Sequence, residues 1–172
     1  MKKVITILLL VSLLLIGCQS QPVEDGSNED QEILYPDATF KIIDLNRDQV
    51  EVTLQELVDL GEEDFEATKD TSNSGPEDST YTGVLLKNLL NELEIDIENF
   101  AGIVVSAEDG YKVTIEAEKV LQDDNVYLTY KKEGQWLENK ENGGSGPIQL
   151  IVSNDQFSQY WCKYVTSIEL IE

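Results

Sequence analysis

Short apolar segments separated by turn-forming residues limit the folds open to this chain more than any other feature. They recur from residue 39 to the carboxyl end, and they have the length of strands rather than of buried helices. The strands predicted in this way are TFKIID, VEVTL, FEATKD, GIVVSA, YKVTI, VYLTY, IQLIV and the end of FSQYWCKYVTSIELI. Regular strand–helix–strand alternation is missing, so the pattern predicts a mixed, mostly β, α+β domain with a few short helices.

Helical signals lie between some of these strands. Thr53 and Glu56 have the spacing of a capping box, which predicts a short helix that stops at Gly61. A second helix is predicted over Leu86–Glu94, within a helical face of apolar residues. That face comprises Val84, Leu85, Leu89, Leu90 and Leu93. The breaker-rich stretches TSNSGPEDST (71–80) and ENGGSGP (141–147) are predicted to be loops, the second being a flexible loop rather than a phosphate cradle.

The amino end indicates an exported protein. Lys2 and Lys3 precede an apolar run, Val4–Ile16, that is short for a membrane span but typical of a signal peptide. The run ends in Leu-Ile-Gly-Cys, which resembles the lipobox of bacterial lipoproteins and implies lipidation of Cys18. We therefore expect a signal peptide over 1–17 and an extracytoplasmic, lipid-anchored location at the cell membrane. The alternative is an ordinary secretory signal with an incidental Cys18.

An acidic, apolar-poor stretch follows Cys18, and composition predicts a disordered tether over 18–33 and one folded domain over 34–172. The net charge is −22, and loss of Lys2 and Lys3 would leave 10 cations against 34 acids, or −24. Phosphate backbones need clustered cations, so the charge excludes nucleic acid as a partner. The chain has no histidine, which excludes Ser-His and Cys-His nucleophilic catalysis.

Five motifs occur in a fixed order: YTGVLLKNLLNELEI, VVSAEDGYKVTI, VYLTYKKEGQWL, GGSGPIQLIV and WCKYVTSIEL. In this order they resemble the oxidoreductase molybdopterin-binding domain, the fold of sulfite-oxidase-type enzymes. The resemblance covers residues 39–170, and it implies that fold and a molybdopterin cleft.

The chemistry that the resemblance implies needs groups that this chain lacks. Family members ligate molybdenum with a cysteine upstream of the aromatic-x-Gly motif, where this chain has FEATKDTSNSGPEDST and no cysteine. They also hold the pterin phosphate with arginines; one of those positions is Gln149 here, and Lys163 is the late cation that matches. We therefore expect no cofactor, no catalytic residues and no metal ligands, although molybdopterin is the cofactor that the resemblance implies.

The resemblance places a candidate cleft at five residues, namely Tyr81, Asp109, Tyr111, Gln149 and Lys163. We interpret Asp109-Gly110-Tyr111 as a tight turn between two strands. The alternative is that the turn contacts a ligand at the rim of the cleft. Cys162 is predicted to be a buried small hydrophobe rather than a reactive thiol. Four aromatic residues either form a ligand platform or, as we expect, are divided between the core and the rim. They are Tyr81, Tyr160, Trp161 and Tyr164.

Three functions are compatible with the sequence. The first is a lipid-anchored, non-catalytic binding or accessory module whose ligand or envelope partner is unknown. The second is a molybdopterin-dependent oxidoreductase or electron-transfer component of the cell envelope. The third is a purely structural envelope lipoprotein.

Overall fold

Ten β-strands and three short α-helices make up residues 32–172, the part of the chain that the structure, a computed structural model, describes. The predicted signal peptide, Cys18 and nearly all of the predicted tether lie outside the described residues. The helices are α1 (Leu54–Asp59), α2 (Leu86–Glu92) and α3 (Ala117–Leu121). The strands are β1 (Thr39–Ile43), β2 (Gln49–Thr53), β3 (Glu63–Thr71), β4 (Ser74–Leu85), β5 (Gly102–Ala107), β6 (Lys112–Glu116), β7 (Val126–Lys132), β8 (Gln135–Trp136), β9 (Gln149–Val152) and β10 (Val165–Ile171).

The strands form two sheets. Sheet A has the order β2-β1-β10-β5-β6, in which β1 and β10 are parallel and the other neighbours antiparallel. Sheet B has the order β3-β4-β7-β8, and β9 also pairs with β7. Because β10 is parallel to β1 and antiparallel to β5, the start of β1 and the turn after β5 lie at the same end of sheet A.

One continuous apolar core joins the two sheets and the helices. Phe40 and Ile103 of sheet A and Leu128 and Leu150 of sheet B are all at most 1% exposed. Leu57 of α1 belongs to the same cluster, and so do Leu89 and Leu90 of α2. Burial of these side chains is the main favourable contribution to folding, at roughly 25 cal/mol for each Å² of apolar surface removed from water.

Several sequence predictions are confirmed. The mixed, mostly β, α+β fold with few short helices is present, and every predicted strand has a counterpart. The capping box is also confirmed, because the Thr53 hydroxyl accepts from the Glu56 N–H while the Glu56 carboxylate accepts from the Thr53 N–H. The segment 141–147 is a loop, as predicted.

Two local predictions were wrong. Helix α2 ends at Glu92 rather than at Glu94, because Glu94 adopts a positive φ of 57°. Val84 and Leu85 are buried as expected, but they belong to β4 and not to the helical face. The second error concerns residues 71–80, which were predicted to be a loop and instead contribute the end of β3, a tight turn and the first half of β4.

A ladder of polar side chains explains that second error. Three directly opposed pairs of β3 and β4 are linked by hydroxyl-to-carboxylate hydrogen bonds, each with an oxygen–oxygen distance of 2.6 Å. The pairs are Thr82–Asp64, Thr80–Glu66 and Thr68–Asp78. Cross-strand polar pairs stabilise a hairpin without any apolar alternation. Pro76 is tolerated because β7 begins to pair with β4 only at Tyr81, so one edge of β4 is free around Pro76.

Candidate functional site

The segment Phe157–Lys163 connects most of the predicted cleft residues. It begins with a 3-10 turn at Ser158–Tyr160 and then pairs with β9, because Cys162 and Leu150 exchange two backbone hydrogen bonds of 2.9 and 2.7 Å. This pairing places Lys163 beside the start of β9, where Gln149 lies. The segment therefore forms the frame on which the candidate site is built.

The Asp109-Gly110-Tyr111 turn closes the β5–β6 hairpin. Gly110 has a φ of 87°, and the Asp109 carboxylate accepts a hydrogen bond of 3.0 Å from the Tyr111 N–H, as expected of a tight turn. Tyr111 also reaches beyond the turn, since its hydroxyl donates to the Gln159 carbonyl at 2.8 Å while 43% of the residue stays exposed. The turn is thus both a hairpin corner and a neighbour of the 3-10 turn.

Tyr81 lies in a small aromatic cluster rather than on an open rim. Only 3% of Tyr81 is exposed, and its ring meets that of Trp161 edge-on, with 5.7 Å between centroids. Phe65 packs against the same cluster and stacks on Tyr127 at 3.7 Å. Burial raises the pKa of Tyr127 to about 12 and also raises that of Tyr81, so both phenols stay protonated at neutral pH.

The four aromatic residues considered as a platform do not lie together. Tyr81 and Trp161 are neighbours, but the Tyr160 ring lies beneath the Lys119 ammonium, 5.1 Å from it. The Tyr164 hydroxyl instead donates to the Gly144 carbonyl at 2.8 Å. The aromatic residues of this region are therefore divided among separate packing sites.

Gln149 and Lys163 differ in accessibility. Gln149 is 4% exposed and lies opposite Thr129 of β7. The Thr129 hydroxyl is buried without a hydrogen-bond partner among the described residues. Lys163 is exposed. The structure thus leaves Asp109, Tyr111 and Lys163 accessible, while Tyr81 and Gln149 are buried.

An open groove of about 450 Å³ lies next to this region. One wall is the end of the β3–β4 hairpin, and the other is the start of the 157–163 segment; its lining residues are Asp70, Thr71, Ser72, Phe157, Ser158 and Gln159. The Ser158 hydroxyl joins the two walls by donating to the Asp70 carbonyl at 2.7 Å. Phe157 is 47% exposed, and it supplies an apolar surface beside polar oxygens.

None of these lining residues was predicted from the sequence. The hairpin wall was interpreted as a loop, and the two walls are 88 residues apart along the chain. Phe157, an aromatic residue within a polar stretch, is the one local signal that would have indicated the groove.

Cys162, the free thiol among the described residues, is fully buried, as predicted. Burial raises the pKa of the Cys162 thiol to about 12, with a further contribution from the negative charge of Asp109. A thiol in this state is neither a nucleophile nor a ready metal ligand at neutral pH.

Within residues 32–172, Cys, Asp and Glu side chains nowhere form a group of three or more that is suited to a metal ion. The described helices also lack the length and apolar character needed to cross a membrane.

Comparison with known proteins agrees with this fold. The oxidoreductase molybdopterin binding domain matches residues 33–172. No curated protein matches the chain. The chain is similar to the crystal structure of the sulfane dehydrogenase SoxCD from Paracoccus pantotrophus, with a TM-score of 0.66 and 19% identity. That similarity covers 79% of this chain and only 38% of the other, so it concerns the fold alone. The match over residues 33–172 shows that this chain belongs to the family of oxidoreductase molybdopterin-binding domains.

Proposed function

We propose that this protein is a non-catalytic binding or accessory module of the cell envelope, which has the family fold without the groups that hold molybdenum. The observation that carries this proposal is that the accessible candidate cleft residues and the adjacent groove offer one cation, Lys163, beside the carboxylates of Asp109 and Asp70, and no thiol. An anionic cofactor would therefore have one charge-assisted partner among these residues, and such hydrogen bonds contribute about 1.5–3 kcal/mol each.

The thiol does not fit a metal centre either. Molybdenum prefers a soft thiolate ligand, but the Cys162 side chain is fully buried and its pKa is about 12. The upstream stretch in which the resemblance implies a ligating cysteine is the β3–β4 hairpin, which lines the groove with Asp70, Thr71 and Ser72. The residues present therefore do not fit molybdopterin.

The decisive experiment is native mass spectrometry and elemental analysis of the full protein purified from its own host. We expect much less than one molybdenum atom per chain and no pterin mass. A matched variant, Cys162→Ser, should give the same metal content as the wild type. One molybdopterin per chain, lost in Cys162→Ser, would overturn the proposal.

The second candidate is a molybdopterin-dependent oxidoreductase or electron-transfer component of the envelope, which the family membership favours. A stoichiometric molybdopterin that persists in Cys162→Ser would establish it, with a ligand set other than the thiol. Electron transfer dependent on sulfite, sulfoxide or nitrate would also establish this second candidate.

The location is part of the proposal. We propose that the leader over 1–17 is removed and that Cys18 carries the lipid, so the domain is held outside the cytoplasm by a tether over 18–33. Palmitate labelling and membrane fractionation test this step. Cys18→Ala should lose the label and either leave the membrane fraction or remain as the unprocessed precursor. The control, Cys162→Ala, should keep the label and the membrane location; label in Cys18→Ala would contradict the anchor.

A further inference from the structure

The outer edge of β3 is the longest strand edge left open in the described structure. β3 has nine residues and pairs only with β4, whereas the edge strands β2 and β6 have five each. Among residues 32–172, no strand lies on its other side, and the Ser158 hydroxyl reaches only its far end at Asp70. Unpaired N–H and C=O groups along such an edge are a template for a further strand.

The charge of this edge selects among the chains that would pair with it. Residues 62–71 contain five carboxylates and one lysine, and Glu63, Asp64 and Glu66 are exposed. A second copy of β3 would place like charges opposite one another, which destabilises a strand pair. The same repulsion disfavours residues 19–32 of this chain, which carry five acids and no cation.

The apolar face of β3 adds a second requirement. Phe65 is half-buried at the edge, and its ring stacks on Tyr127. Ala67, on the same face, is 4% exposed. Because alternate side chains of a strand point to opposite faces, an added strand would place every second residue beside Phe65 and the others beside Asp64 and Glu66.

We propose that the outer edge of β3 binds an extended basic segment of another protein as an additional strand. In that segment lysine or arginine alternates with apolar residues; the cations face Asp64 and Glu66, and the apolar residues extend the Phe65 cluster. Backbone hydrogen bonds supply affinity, and the alternating side chains supply specificity, as in other cases of strand addition. This interaction does not depend on whether the groove holds a ligand.

The first test is a titration of isotope-labelled full-length protein with a peptide of the length of β3 in which lysine and valine alternate, at physiological salt. We expect the backbone amide shifts of β3 to change first and most. Asp64→Asn with Glu66→Gln should weaken binding about fivefold, because exposed ion pairs contribute only modestly. Glu116→Gln with Glu118→Gln, on and beside the other edge strand β6, is the control and should change it less than about twofold. Shifts centred on β6, or equal losses in both double variants, would overturn the proposal.

The second test separates strand pairing from simple charge attraction. Two further peptides carry backbone N-methyl groups on one or the other alternate set of residues, which removes N–H donors and keeps every charge. One of the two should bind at least about tenfold more weakly, because several backbone hydrogen bonds are lost. Unchanged affinity of both would show attraction without pairing and overturn the proposal. A dimer of the protein itself that protects the β3 amides from hydrogen exchange would overturn it as well.

Discussion

The β5–β6 and β3–β4 hairpins have the same antiparallel topology but are held together by different forces. In β5–β6 the opposed pairs Ile103–Ile115 and Val105–Val113 turn apolar side chains into the core, and Ile103, Val105 and Ile115 have no exposed surface. The corresponding pairs of β3–β4 are threonine–carboxylate hydrogen bonds at a surface open to water. The first hairpin thus stabilises the domain, whereas the second leaves an edge and a groove wall available for recognition.

The largest effect on the free energy of unfolding is expected for a substitution in the buried face of the β5–β6 hairpin. Ile115→Ala should lower the free energy of unfolding by about 2–5 kcal/mol, because it leaves a cavity between the sheets. Chemical denaturation of the full protein measures this value. Thr114→Ala, exposed on the opposite face of the same strand, is the control and should change it by less than about 0.5 kcal/mol. A wild-type midpoint for Ile115→Ala would mean that β6 does not belong to the core.

One glycine of each hairpin provides the next comparison. Gly110→Ala, at a φ of 87°, should cost about 1–2 kcal/mol, since a side chain disfavours the left-handed conformation. Gly75→Ala, in β4, is the matched variant: its φ is not in that region and no atom lies within 4 Å of the added carbon. It should be neutral or slightly stabilising. Equal melting temperatures for the two variants would contradict the turn geometry.

The polar ladder should respond more weakly. Thr68→Val keeps the side-chain shape but removes the hydrogen bond to Asp78, which should cost roughly 0.5 kcal/mol at an exposed site. We expect faster hydrogen exchange in the outer half of β3–β4 and an unchanged rate in β5–β6. Thr114→Val, at an exposed position of β6, is the control and should leave both rates unchanged.

The smallest effect concerns one ion pair that joins β4 of this hairpin to β7. The Lys132 ammonium, 2.8 Å from Glu77, holds the pKa of the Glu77 carboxyl below its ordinary value. A lowered pKa in the folded state means that this contribution is present at neutral pH and is lost as pH falls through the lowered value. Lys132→Met should raise the Glu77 pKa towards its ordinary value in an NMR titration, because Lys132 is the main cause of the lowering. Lys140→Met, which removes a more distant pair with Glu108, should leave it unchanged.

The contrast between the hairpins also explains which features the sequence reveals. The alternation in β6, the Asp-Gly turn and the Thr53–Glu56 box are local signals, so the structures they specify could be predicted. The β3–β4 ladder depends on partners such as Thr80 and Glu66, which no apolar periodicity marks, because they lie on the polar face of the strands. The groove joins Asp70 to Ser158, and only the assembled sheets bring such distant segments together.

The exposure of the candidate cleft residues could be predicted only in part. The Asp109–Tyr111 turn is exposed, as a rim requires, and Lys163 is accessible. Tyr81 and Gln149 were predicted beside them, but each is buried within sheet B, where packing of neighbouring strands decides exposure. The sequence motifs indicate which strands and turns carry the candidate residues without indicating which of their side chains are exposed.

The position of β10 in sheet A has a consequence for the order of events in the cell. This strand is the last of the domain to be synthesised, yet it lies between β1 and β5, and its partner β1 is the first strand of the domain. Sheet A therefore has no central strand until the whole domain has been synthesised, and its pairing across the domain makes folding slow compared with local hairpin formation. The sheet should remain incomplete until β10 has left the ribosome.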